Sequence, residues 1–158
     1  QVLADKLIQL EPQNKAQIQA NLKQFITEHN QVNQAIQQTK TKYAGTPVTA
    51  TEPVYGYMAD AMGLKMQGLD FQWKIMNDSE PTPKMIASYQ ELLTAKKVKV
   101  LFYNSQVSDS ITKNMQNLAV QNSIPIVGVT ETMPPNMTIN TWLLSGIRAT
   151  NSALAKSK

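Results

Sequence analysis

The chain has 158 residues, a length at which one domain can bury roughly two-thirds of its unfolded surface. Apolar residues make up 42% of it, with six glycines, eight prolines and no cysteine, which excludes collagen-like and wholly disordered chains, disulfides, thiol nucleophiles and zinc ribbons. The net charge is +4 with a pI near 9.3, but fourteen of the fifteen cations are lysines spread from Lys6 to Lys158, Arg148 is the lone arginine, and nucleic acid, which is recognised by clustered arginine, is not an expected partner.

The chain opens in mid-helix without an initiator Met or a charged-then-apolar leader, and reads as a fragment or a processed product. Leu3, Leu7 and Leu10 form a short stripe. Ile18, Leu22, Phe25, His29, Val32 and Ile36 then recur at steps of four and three, predicting a long helix from Pro12 to Tyr43 with a polar outer face rich in Asn and Gln. From Thr46 the pattern changes. Pro47 to Ala50 reads as a strand, Tyr55 to Met62 as a helix stopped by Gly63, and Lys65 to Phe71 as a weaker strand. Met85, Ile86, Tyr89, Leu92 and Leu93 mark a helix whose end carries the solvated Lys96, Lys97 and Lys99, and Glu80 ahead of it is expected to cap or orient it. Val98 to Phe102 is a buried strand, Ile111 to Ala119 a helix, Ile124 to Val129 a strand, and Trp142, Leu143, Ile147 and Leu154 mark a final helix. The fold class predicted is α/β: a four-stranded, mostly parallel sheet flanked by helices and preceded by one long helix. No apolar run reaches the roughly 18 residues that a membrane span needs.

In open parallel sheets, ligands bind at the carboxyl ends of the strands. Three predicted strands end in polar residues there: Thr51-Glu52, Asn104-Ser105-Gln106 and Thr130-Glu131. Glu52 and Glu131 each follow Val-x-x-Thr, and two carboxylates on one rim repel unless a cation or proton lies between them. A divalent ion suits such a pair. Two other readings stay open at this point. A glutamate ahead of a helix can simply complement the helix dipole, and two carboxylates can form the acid and base of a glycosidase, although few aromatics stand near either one to hold a sugar. His29, the one histidine, lies on the apolar stripe of its helix and reads as a hydrogen-bonded core or interface residue. The eight methionines read as core filling. No Ser-His-Asp set and no phosphate loop can be assembled.

Ala50-Thr51-Glu52-Pro53-Val54-Tyr55-Gly56-Tyr57-Met58-Ala59-Asp60-Ala61-Met62-Gly63-Leu64 resembles the solute-binding proteins of bacterial zinc and manganese ABC importers, which have two lobes joined by a rigid helix. Asn77-Asp78-Ser79-Glu80-Pro81, Tyr103-Asn104-Ser105-Gln106-Val107-Ser108-Asp109 and Val127-Gly128-Val129-Thr130-Glu131-Thr132 occur in the order found in that family. The resemblance implies the C-terminal lobe: residues 1–11 as the end of the interlobe helix, and 12–158 as the lobe itself, with a long helix over 12–43 and βα units over 46–158. It places Glu52 and Glu131 at the two metal-ligand positions of this lobe, with Thr51, Asn104 and Thr130 as candidates to orient them. The family's two first-lobe histidines have no counterpart here, and His29 matches neither.

The function expected from this resemblance is non-enzymatic. It is capture of Zn²⁺ or Mn²⁺ outside the cytoplasm, in the periplasm or on a surface lipoprotein, for delivery to the membrane permease of an ABC importer. The expected partners are that permease, the missing N-terminal lobe and, through the Leu3, Leu7 and Leu10 stripe, a second copy. The chain alone, with half a site, is expected to hold metal weakly or not at all. Rival readings are a surface adhesin or structural module and, more remotely, a two-carboxylate hydrolase.

Overall fold

A computed structural model describes residues 1–107 and 109–157. Ser108, within the Tyr103 to Asp109 motif, and Lys158 lie outside the described residues. Helix α1 (Val2–Leu10) leads through a 3₁₀ turn at Pro12–Asn14 into α2 (Lys15–Tyr43). Strand β1 (Pro47–Ala50), a 3₁₀ turn at Pro53–Tyr55, α3 (Gly56–Ala61), β2 (Lys65–Gln67) and α4 (Leu69–Met76) come next. The chain then continues through α5 (Pro83–Thr94), β3 (Leu101–Asn104), α6 (Ser110–Gln121), β4 (Ile126–Val129) and α7 (Ile139–Lys156). The four strands form one wholly parallel sheet in the order β2-β1-β3-β4.

Alternation along β3 shows why both faces are apolar. Val100 and Phe102 face a core shared with α2, α3 and α7, which includes Val32, Met62, Ile147 and Leu154. Leu101, between them, faces the opposite core of Phe71, Tyr89, Leu93, Met115 and Ala119. Successive side chains of a strand point to opposite faces, and a parallel sheet covered by helices needs apolar residues on both.

The strands are shorter than their apolar runs suggest. Val98 and Val100 are buried, yet the ladder of β3 begins only at Leu101, and Ile124 likewise precedes β4. Hydrophobicity marks burial, and burial extends past the last ladder pair. The largest departure lies at Lys65 to Phe71, where strand ends after Gln67. Gly68 takes φ +72° and starts α4, which turns Phe71 into the core and stacks it on Tyr89 at a ring-centroid distance of 4.1 Å. Phe71 and Ile75 are spaced for a helix face, not for a strand.

The predicted stripe of α2 divides in two. Val32, Ile36, Thr39 and Tyr43 meet α7 and the sheet, with Asn151 Nδ2 donating to Thr39 Oγ1 at 2.7 Å. Toward its N-terminus, α2 is covered only by α1, and Phe25 stays exposed. The face of α1 that turns inward carries Ala4 and Ile8, while Leu3 is 73% exposed and Leu10 68%. His29 is a hydrogen-bonded interface residue: its Nδ1 lies 2.9 Å from Oδ1 of the buried Asn140 of α7. Lys96, Lys97 and Lys99 are exposed at the end of α5, Lys97 pairing with Glu91. Met62 and Met115 fill the core, but Met76 and Met133 are exposed.

Gly68 and Gly45 both adopt positive φ and separate two costs. A Cβ at Gly45 would meet nothing within 4 Å, whereas one at Gly68 would come within 2.8 Å of Tyr89 Cδ2. Gly45→Ala should therefore lose only the conformational penalty, about 1 kcal/mol. Gly68→Ala should lose about 2 to 4 kcal/mol, because Tyr89 is locked by its stacking and cannot yield cheaply. Urea denaturation of the two variants checks the ranking.

Candidate metal centre

All four strands run the same way, so their carboxyl ends share one rim. The strand order reverses between β1 and β3, since the chain runs outward from β1 to β2 and returns on the other side. Such a reversal leaves a crevice beyond the strand ends. Glu52 follows β1 and Glu131 follows β4, and both line one cavity of about 560 Å³ at this rim, together with Asp78, Glu80 and Asp109. The two expected ligands are brought together.

Tertiary bonds at the end of β1 set Glu52. Tyr89 Oη donates to the Ala50 carbonyl at 2.7 Å and the Thr51 N–H donates to the Phe102 carbonyl at 3.0 Å, so the strand stays ordered to its last residue. Burial holds the Tyr89 phenol in its neutral, donating form by pushing its pKa up. Glu52 is extended, with φ −144° and ψ 158°, and Pro53 begins the next turn. Its side chain makes no capping bond to that turn. It is half-buried and instead accepts a long hydrogen bond from Asn104 Nδ2 at 3.5 Å. Burial raises its pKa above the ordinary 4.5. The Asn104 bond opposes that shift, and the negative charges of Glu131, Asp109 and Asp78 add to it.

Glu131 lies in an exposed loop, well before α7 begins at Ile139. The N-terminus of α7 is already closed by a capping box between Thr138 and Thr141. Helix-dipole complementation therefore does not account for Glu131, whereas Glu52 stands at the N-cap position of the turn that leads into α3. The loop is held from two sides. Thr130 Oγ1 accepts from Trp142 Nε1 of α7 at 2.8 Å. From the other side Gln106 Oε1 accepts the backbone N–H groups of Glu131 at 2.8 Å and Thr132 at 3.0 Å, and its Nε2 donates to Thr132 Oγ1 at 2.7 Å.

Among the three residues expected to orient the carboxylates, Asn104 alone touches one. It is 3% exposed, and its Oδ1 accepts from the Gln106 N–H at 3.0 Å. Thr51 is buried and, among the described residues, no side-chain hydrogen bond joins it to Glu52. Thr130 turns toward α7. Gln106 is the contact that sequence reasoning missed: a glutamine in a polar run carries no signal until the strand order is known.

The remaining acids differ in role. Asp109 accepts from the Thr112 N–H at 2.9 Å and from Thr112 Oγ1 at 2.7 Å, capping α6. Glu80 does not cap α5, whose first turn is closed by Thr82, because Pro81 and Thr82 intervene and leave Glu80 on the cavity wall. Among the described residues no three His, Cys, Asp or Glu side chains converge into a ready metal cage. Glu52 and Glu131 present carboxylate oxygens, the donor type that hard divalent cations take.

The family model for the periplasmic zinc-uptake complex component A, ZnuA, matches residues 1–151. Over 131 residues the chain is 28% identical to the metal ABC transporter substrate-binding lipoprotein SsaB of Streptococcus sanguinis, and 29% identical to the manganese ABC transporter substrate-binding lipoprotein ScaA of Streptococcus gordonii. Each alignment covers 80% of this chain, which spans 40% and 39% of those two proteins respectively. Among solved structures, the laminin-binding adhesin Lmb of Streptococcus agalactiae superposes with a TM-score of 0.71 at 20% identity, over 96% of this chain and 56% of that one. The Zn(II)-bound H205L variant of AdcAII from Streptococcus pneumoniae gives a TM-score of 0.70 at 22% identity, over 98% and 57%. The structural likeness supports the same fold, and on the match over residues 1–151 the chain belongs to the ZnuA family.

Proposed function

We propose that this chain is the C-terminal lobe of an extracytoplasmic substrate-binding protein that captures Zn²⁺ or Mn²⁺ and delivers it to the permease of an ABC importer. Residues 1–11 are read as the end of the interlobe helix and 12–158 as the lobe. The observation that carries this reading is the pairing of Glu52 and Glu131 on one cavity at the crevice, with Glu52 making no capping bond and Glu131 remote from any helix N-terminus. Family membership supports it, as does the description of two relatives as metal ABC transporter substrate-binding lipoproteins. Among the described residues, no helix is long and apolar enough to cross a membrane. The proposed role is capture and release, with no bond made or broken.

The metal is cargo. Glu52 and Glu131 supply anionic oxygens, Asn104 steadies Glu52, and the remaining donors come from the rest of the full-length protein. In the metal-free state burial, and to a lesser extent the negative charges of Glu131, Asp109 and Asp78, disfavours the ionised form of Glu52. A cation relieves that repulsion, so some of its binding free energy comes from removing an existing strain.

Two predictions separate these states. In the metal-free chain, Glu52→Gln should raise stability at pH 7 by about 0.5 kcal/mol, a small value because the carboxylate is only half-buried and solvent screens it. The sign follows from linkage. A carboxyl raised in the folded state favours folding fully below its unfolded value, and that contribution is lost as pH rises through the folded value. The gap between variant and parent should therefore close by about pH 4. Thermal unfolding at the two pH values measures it, and a variant less stable than the parent at pH 7 contradicts the repulsion.

In the full-length protein, Glu52→Gln or Glu131→Gln should weaken Zn²⁺ or Mn²⁺ binding at least tenfold, about 1.4 kcal/mol. The 158-residue chain by itself should bind both ions weakly, since a tight Zn²⁺ site needs about four ligands and it offers two. Calorimetry on both proteins is the check: tight stoichiometric binding by the chain alone would place the site elsewhere.

A further inference from the structure

Glu131 stands on a loop that no helix or strand stiffens, yet a metal ligand must hold its position to within a fraction of an ångström. Among the described residues, the side-chain groups that hydrogen-bond the loop's backbone at this residue belong to Gln106. One oxygen, Oε1, accepts two consecutive backbone N–H groups, those of Glu131 and Thr132, and Nε2 closes the ring onto Thr132 Oγ1. Both halves of the amide are engaged, so its orientation is specified by the contacts. The adjacent Ser105 ties the same loop to the end of β4, its N–H and Oγ both donating to the Val129 carbonyl at 2.8 and 3.1 Å.

The same segment reaches Glu52. Asn104 donates to the Glu52 carboxylate and accepts the Gln106 N–H. Residues 104 to 106 thus span the two glutamate-bearing turns, one hydrogen-bonded to Asn104 and the other to Gln106. This is possible because β3 lies between β1 and β4 in the sheet. At a strand spacing of about 4.8 Å the turns after β1 and β4 begin about 10 Å apart, and only the tail of β3 adjoins both.

We infer that Gln106 is a positioning residue for metal capture: it clamps the backbone of Glu131 and, through Asn104, couples that loop to Glu52. The inference rests on the proposed role of Glu131 as a ligand. Gln106 acts through Glu131 and does not itself touch the ion. Contacts that orient a ligand typically change metal affinity about 10- to 100-fold when removed. An exposed polar residue of this kind has little effect on global stability.

The test uses the full-length protein, with Mn²⁺ affinity by calorimetry and the visible d–d spectrum of bound Co²⁺ as readouts. Gln106→Met keeps the length of the side chain and removes all three hydrogen bonds. It should weaken Mn²⁺ binding about tenfold and alter the Co²⁺ spectrum, with the unfolding midpoint of the metal-free protein unchanged. Gln106→Glu keeps the oxygen that accepts the two N–H groups and should restore affinity to within about threefold of the parent. Thr132→Val, which removes only the Nε2 contact, should cost about two- to fivefold and serves if Gln106→Met fails to fold. Glu131→Gln is measured alongside. If Glu131→Gln weakens binding while Gln106→Met and Thr132→Val leave both affinity and spectrum unchanged, the clamp is overturned and the ligand assignment survives. If Glu131→Gln itself has no effect, the ligand assignment fails and the positioning role fails with it.

Discussion

Every strand of the sheet points the same way, and the rest of the site depends on that constraint. Parallel strands require helical crossovers, crossovers of one hand put helices on both faces, and the polar segments that follow each strand emerge at a single rim. One apolar core covers β1, β3 and β4 on the face toward α2, α3 and α7, and a second covers Leu101 of β3 and Ile126 of β4 on the other. Glu52, Asn104 and Glu131 meet at the rim although they are far apart in the chain.

The rim concentrates negative charge on a chain whose overall balance is positive. Five carboxylates line one cavity, and the carboxyl of the half-buried Glu52 is raised first by burial and then by its neighbours' charge. The fold tolerates this because most of the five keep contact with water and because Asp109 is hydrogen-bonded to the first turn of α6. The same arrangement argues against a purely structural role for Glu52, since a structural carboxylate gains a partner that lowers its pKa, as Glu91 does from Lys97.

Support for the rim comes from polar contacts seated at the edges of the apolar layers. Tyr89 holds the end of β1 from beneath, its hydroxyl on the Ala50 carbonyl and its ring on Phe71. Trp142 holds Thr130 from α7, and α7 is itself fastened to α2 through Asn140 with His29 and Asn151 with Thr39. A net hydrogen bond contributes only about 1 kcal/mol, but leaving a buried partner unpaired costs more. These pairs therefore specify how the helices register against the sheet more than they add to its stability. The half-exposed N-terminal part of α2 and the outward leucines of α1 have no such fastening within the described residues.

Residue pattern alone identified the α/β class, the long helix ending at Tyr43 and the strand at Pro47, and it placed the two glutamates at one rim of the sheet. Apolar periodicity and the polar ends of buried runs are local properties, written in the order of the chain. The same pattern misread Lys65 to Phe71 as strand, because β2 is an edge only three residues long and the conformation beyond Gln67 is decided by Gly68 and by the stacking of Phe71 on Tyr89. It placed Glu80 at a helix cap that Thr82 occupies. It set Gln106 among the polar residues at a strand end and gave it no role. Which strands are neighbours is a long-range property, settled by packing and absent from any spacing. Only when β3 lies between β1 and β4 does the segment Asn104-Ser105-Gln106 stand within hydrogen-bond reach of both glutamate turns, one at Glu52 in the first half of the chain and the other at Glu131 in the second.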